Sequence, residues 1–285
     1  MVNNQPAPNA TGPGYIENYT QAITGPSNLY AGGYNPLTFS PPAPGDFYIE
    51  FDWSGTGTKN FTFFDITVAD PLGIEKRGRL WSKRWALSAG NYDKMFIGTM
   101  YPYSDDMIVT SVDFNGMAPY TFNITCNPLG CNNTEPFVLA RKSRSGNHTY
   151  PQYKIFLNPP DELIFPTGVI GEVTSITTDN ECDGDLDFTI YVNKSGNIDI
   201  VLDINPLPGF QPEDVNLADS VIAGIPNIIA WNGLNGLGVP VANGTVITLI
   251  VSYVNGLTNL PMYDVENDKN YGIDFKGFNV GLVRP

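Results

Sequence analysis

The chain has 285 residues, a formal charge of −14 and many turn formers, with Gly at 29 and Pro at 24. At roughly 150 residues per domain this length predicts about two domains, and the turn-rich, aromatic composition fits short strands better than helical bundles. The negative charge excludes nucleic acid and anionic membrane surfaces as natural partners, and no apolar run reaches the length needed for membrane insertion.

Residues 1–14 carry no periodicity and read as a linker or N-terminal arm. Their start lacks the basic and apolar stretches of a signal peptide, as expected of an excised or mature segment. Strand patterns follow. "DFYIEFDW" (46–53) and "NFTFFDITVAD" (60–70) alternate. "MIVTSVDF" (107–114) ends at Asn115-Gly116 and "YTFNIT" (120–125) returns, which predicts a hairpin. "PFVLARKSRSGNHTYPQYKIFLN" reads as two strands around a basic loop at 142–147. A boundary is expected at "NPPDELIFPTG" (158–168), where two prolines precede a new series of strands. "DFTIYVNKSGNIDIVLDIN" (187–205) predicts the clearest hairpin, "NIIAW" (227–231) and "TVITLIVSYVNG" two more strands, and "FNVGLVRP" a closing one. "EDVNLADSVIAG" is the best candidate for a helix, of one turn or none.

"WNGLNGLGVPVANG" (231–244) sets Trp231 at a strand end, with Gly233, Gly236 and Gly238 for a broad turn and Asn243-Gly244 for a second one. No strand–GxGxxG–helix context accompanies these glycines, so they shape reversals and do not cradle phosphate. The expected architecture is all-β: a β-sandwich at 15–157 and a second in tandem at 158–285.

Candidate sites are few. Cys126 and Cys131 bracket the turn "NPLG" and form either a disulfide, implying an oxidising compartment, or two reduced thiols. Cys182 is left over as a buried free thiol. Asp179, Glu181, Asp183, Asp185 and Asp187 alternate around Gly184, a pattern that suits calcium or, more plainly, a hydrated acidic turn. Asp264, Glu266 and Asp268 form a weaker acidic group that reads as a solvated loop. Trp81 and Trp85, which flank "SKR", join Tyr101, Tyr103 and Trp53 as a possible sugar-stacking platform or as packing residues. His148 is the single histidine. It lies in a loop with no nucleophile elbow nearby, and a paired-histidine zinc site is impossible. Two converging carboxylates would leave no mark in sequence. The expectation is a non-enzymatic chain.

The pattern Trp231-x-Gly233 followed by Gly238-x-x-Val241-x-x-Gly244 resembles the immunoglobulin-like module of flagellar hook-capping proteins, with Asn232 and Thr245 where that module carries an Asp and an aromatic. "LDINPLPGFQPEDVNL", "IIAWNGLNGLGVPVANGT", "YVNGLTNLPMYDVEN", "YNPLTFSPPAPGDFYIEF", "GRLWSKRWAL" and "YSDDMIVTSVDFNGM" are similar to segments of the large gliding-motility-associated surface proteins of gliding bacteria. The resemblance implies immunoglobulin-like β-sandwiches, export by type IX secretion, an extracellular position at the cell surface and adhesin-like stalks. It also implies a C-terminal sorting domain, which this sequence does not display, as expected of an internal piece or of a subunit without it. Expected partners are neighbouring β-sandwich modules or identical subunits, and surface polysaccharide. The functional expectation is a structural and adhesive spacer, with a glycan-binding module or a filament subunit as alternatives.

Overall fold

The computed structural model describes residues 12–51, 61–90, 94–132, 137–180, 186–265 and 272–277. The protein is mostly β, built of several small antiparallel sheets with almost no helix. Trp53, Glu181, Cys182, Asp183, Asp185, Glu266, Asp268 and residues 278–285 of the expected closing strand lie outside the described residues. The chain divides into two compact units, Met1–Leu80 and Trp81–Pro285.

The first unit is held by polar contacts. Helix α1 (Tyr19–Thr24) begins at Asn18, whose side chain accepts the Gln21 N–H at 2.9 Å, and ends at Gly25 with φ 94°. Tyr34 is the one buried aromatic side chain among this unit's described residues, and its hydroxyl donates to Asp65 Oδ2 at 3.0 Å. The expected strands at 46–53 and 60–70 do not form over their described residues, which hold only an isolated bridge between Ala69 and Glu75. Their aromatics meet other rings at the surface instead, with Phe47 5.8 Å from Phe39 and Phe51 5.0 Å from Phe61 between ring centroids. Alternation fits a half-buried pleat, yet a strand without a paired neighbour leaves its backbone to water.

The second unit contains the cores. Its early elements are β1 (Trp81–Ser82), β2 (Arg84–Ser88), β3 (Phe96–Tyr103), β4 (Thr110–Met117), β5 (Thr121–Thr125), a short helix α2 (Phe137–Ala140) and β6 (Lys154–Phe156). Then come β7 (Val173–Asn180), β8 (Leu186–Val192), β9 (Gly196–Asp203), β10 (Val215–Val221), β11 (Asn227–Trp231), β12 (Thr248–Val254), β13 (Met262–Tyr263) and β14 (Gly272–Gly277). A five-stranded sheet, β1-β6-β3-β4-β14, shares a core with the three-stranded sheet β13-β5-β2 through Met100, Val112, Phe114, Phe122, Ile124 and Ile155. Two more three-stranded sheets, β10-β9-β12 and β11-β8-β7, share a second core of Phe188, Ile190, Ile198, Ile200, Leu202 and Trp231.

Both predicted hairpins are corrected. β4 runs through Asn115 and Gly116 as a bulge opposite Gly272, and β5 lies in the other sheet. β8 pairs with β7 and β11, whereas β9 pairs with β10 and β12. In each case a short link carries the chain across the core, so strands adjacent in sequence face each other through side chains. Apolar alternation followed by a turn describes this arch as well as a hairpin. The helix candidate is β10, a strand, and the predicted strand pair around 142–147 is α2 followed by β6.

The second sheet pair is inserted into the first. After β6 the chain forms β7 to β12, then returns so that Met262 pairs with Ile124 and β14 with β4. The expected division at residue 158 therefore does not coincide with the strand pairing. The outgoing and returning segments are tied: the Gly171 N–H donates to Asn255 Oδ1 at 2.7 Å and Asn255 Nδ2 donates to Gly171 O at 3.1 Å. Lys194 Nζ donates to Asp106 O at 2.9 Å and Val169 O at 2.8 Å, and Asp106 Oδ2 accepts the Gly256 N–H at 3.0 Å.

Trp231 closes β11 with its indole N–H on Leu234 O at 2.8 Å. Gly233, Gly238 and Gly244 take φ of 71°, 77° and 85°. Gly236 serves differently: a Cβ there would lie 2.3 Å from Pro212 O.

Candidate functional site

The segment "WSKRW" changes sheets at Lys83. β1 belongs to the five-stranded sheet and β2 to the three-stranded one. Ser82 Oγ holds the corner, donating to Arg84 O at 2.7 Å and accepting the Arg84 N–H at 3.2 Å. The expected aromatic platform is thereby split. Trp85 packs against the first core and its indole N–H donates to Ile155 O at 3.0 Å. Trp81, Tyr101 and Tyr103 join Phe156 and Phe165 in a separate small cluster. Tyr103 is buried, its hydroxyl donates to Pro166 O at 2.6 Å, and burial raises its pKa.

A polar depression of about 290 Å³ opens beside that cluster. β1 and β6 pair Trp81 with Phe156 and Ser82 with Ile155, and the chain bends at Lys83, just past that ladder. β3 sets Tyr103 opposite Lys154 on the other side. Lys83, Lys154 and Tyr103 all line the depression. The 104–107 turn closes it, with the Met107 N–H on Ser104 O at 2.9 Å. Gln152 Nε2 donates to Asp105 Oδ2 across its rim. Lys154 Nζ lies 5.2 Å from the Trp81 ring centroid and 6.0 Å from that of Phe165. Sequence reading found Lys83 within "SKR" but missed Lys154, because only the nonlocal register of β1 on β6 brings the two together.

The other candidates fall elsewhere. Asp179 and Asp187 pair directly across β7 and β8, while the three acids between them are not described. Among the described residues no group of three or more His, Cys, Asp or Glu side chains is placed to hold a metal. Cys126 and Cys131 are free thiols, correcting the disulfide alternative. Cys126 is buried in the first core, and that burial pushes its thiol pKa up. The turn between them is closed by Asn127, whose Oδ1 accepts the Leu129 N–H at 2.8 Å and whose Nδ2 donates to Gly130 O at 2.9 Å and Tyr150 O at 2.7 Å. His148 is exposed in its loop, and Asp264 is exposed with φ 65°.

Comparison with protein-family models, with curated proteins and with solved structures returns no match.

Proposed function

We propose that this chain is a structural and adhesive segment of a bacterial cell-surface protein, exported to the extracellular face and built of immunoglobulin-like β-sandwich modules. The observation that carries the reading is the tied, two-segment joint by which one sheet pair projects from another. A single flexible linker would let the modules swing, whereas two adjacent segments with five hydrogen bonds around Gly171, Asn255, Lys194 and Asp106 resist it. Tension applied between β1 and β14 passes through their shared sheet, leaving the inserted pair as a projection that presents its surface.

Antibody labelling of intact, unpermeabilised cells tests the location, and light scattering of the purified chain over a concentration range tests the mode of action. Surface label with a concentration-independent monomer is the expected result. Label that appears only after permeabilisation overturns the surface reading. Assemblies that grow with concentration replace the spacer by a self-assembling filament subunit.

A further inference from the structure

We infer that the open edge of β10 takes up an extended peptide of a partner protein as an added strand, one in which apolar residues alternate with lysine or arginine. β10 and β11 are edge strands of the two sheets that share the second core, and a groove of about 690 Å³ opens between them. Val215, Leu217 and Trp231, which pack on that core, line the groove together with Phe210 and Leu234. The Gly236 N–H donates to Glu213 O at 2.9 Å, tying the lining loop after Trp231 to the start of β10. An edge strand presents a row of backbone N–H and C=O groups that another strand can satisfy, and an edge that is not used is commonly blunted. The β7 edge is blunted, by a register shift between Val173 and Ser175 and by Asp179 near its end. β10 instead pairs with β9 through seven residues, Val215 to Val221, without a shift and without a proline or lysine.

Charge selects the occupant. Residues 173–254, which form this sheet pair, hold ten acidic side chains and one basic one, Lys194. The Lys194 ammonium is already bonded to Asp106 O and Val169 O. Among the described residues no lysine or arginine lines the groove, while Asp219 is exposed on β10 itself. Such a field draws in a basic segment and repels an acidic one. Because successive side chains of a strand point to opposite faces, an alternating peptide turns its apolar residues into the groove and its cations outward among these acids. A second copy is a poor occupant: residues 46–51, the strand-like stretch this chain leaves without a ladder, carry Asp46 and Glu50, and each copy has a charge of −14. A sugar could enter the groove but could not continue a ladder along the seven residues of β10.

The test is fluorescence anisotropy of a labelled, alternating valine–lysine octapeptide titrated with the full chain, with hydrogen exchange of the complex to locate the contact. The comparisons are the same peptide N-methylated at alternate residues, a block peptide of the same composition, and an alternating valine–glutamate octapeptide. Saturable binding of the valine–lysine peptide is expected, weakening as salt rises and slowing exchange of the β10 amides. The N-methylated peptide, which cannot complete the ladder, should bind about tenfold or more weakly. Asp219→Lys should reduce affinity by about tenfold. Val215→Lys, which turns a charge into the groove, should do the same; its melting temperature is measured alongside, and Asp219→Lys decides the matter if it unfolds. Absence of saturable binding, equal binding of the N-methylated or block peptide, or wild-type affinity in Asp219→Lys overturns the proposal. So does a valine–glutamate peptide that binds as well, exchange slowed only in other strands, or assembly of the chain by itself through β10, which would make a second copy the occupant. The peptide titrations do not depend on where in the cell the protein resides, so the surface reading stands or falls separately.

Discussion

Residues 46–51 and residues 198–204 have the same apolar alternation and opposite fates. In the first unit Phe47 is 49% exposed and Tyr48 79%, with no ladder on either side. In the second, Ile198, Ile200 and Leu202 are buried, because β9 pairs with both β10 and β12 and faces another sheet. Alternation states that a segment suits half-burial; it does not supply the neighbour that buries it. The sharpest way to break this comparison is a pair of truncations read by chemical denaturation. Phe122→Ala removes a ring that is fully buried against Phe96 and Phe114, and should cost about 3–5 kcal/mol. Tyr48→Ala should change stability by no more than about 0.5 kcal/mol. Comparable losses would mean that the first unit has a core of its own.

The same contrast shows what was legible in the sequence. β8, β9, β11 and β12 were readable, since their alternating residues are the ones that fill the second core. Their partners were not. The link 193–195 joins strands in different sheets, and nothing in those residues distinguishes an arch from a hairpin. Nor does any local signal announce that Met262 returns to pair with Ile124 after an intervening sheet pair. The candidate site divides in the same way. "SKR" was visible, but Lys154 joins it only through the pairing of β1 with β6. The aromatics stand close together in sequence, yet the sheet change at Lys83 sends Trp85 into a different cluster from Trp81.

A pH titration sharpens the comparison next. In the first unit Asp70 accepts the Ile74 N–H at 2.9 Å and the Leu72 N–H at 3.0 Å and meets Lys76 at 3.2 Å. The Ile74 N–H foremost, then Lys76 and the Leu72 N–H, hold its carboxyl below the usual range. The Tyr30 hydroxyl, then Arg77, do the same for Glu75. A carboxyl depressed by folding contributes stability that is complete above its unfolded pKa and is lost as pH falls through its folded one. Acid should therefore loosen the first unit before the second. The second unit also has such a carboxylate, Asp214, lowered by the N–H groups of Gln211, Asn205 and Ile204, but it has two apolar cores besides. An NMR titration of assigned amides from neutral pH downward would follow each unit. Asp70→Asn should blunt the transition in the first. Parallel loss of signal dispersion in both units would show that polar contacts do not set the first one apart.

Charge placement gives the smallest and most local difference. The first unit pairs its charges as Lys76–Asp70 and Arg77–Glu75, whereas β7 and β8 set Asp179 directly opposite Asp187. Like charges at a cross-strand position repel, so Asp187→Asn should stabilise the protein by about 0.2–1 kcal/mol in low salt, and less as salt screens the pair. Denaturation curves of the two proteins at low and high salt measure this directly; an unchanged or lowered midpoint in low salt would mean that the carboxylates do not repel as placed. Repeating the curves in calcium settles whether this hairpin holds the ion its acidic sequence led us to expect. An ion ligated by Asp187 would turn the repulsion into a binding contribution, and the sign would reverse, making Asp187→Asn the weaker protein in calcium. If the stabilisation by Asp187→Asn persists undiminished in calcium, the acidic alternation is a solvated strand end whose charges guard the β7 edge of the sheet against pairing with another chain.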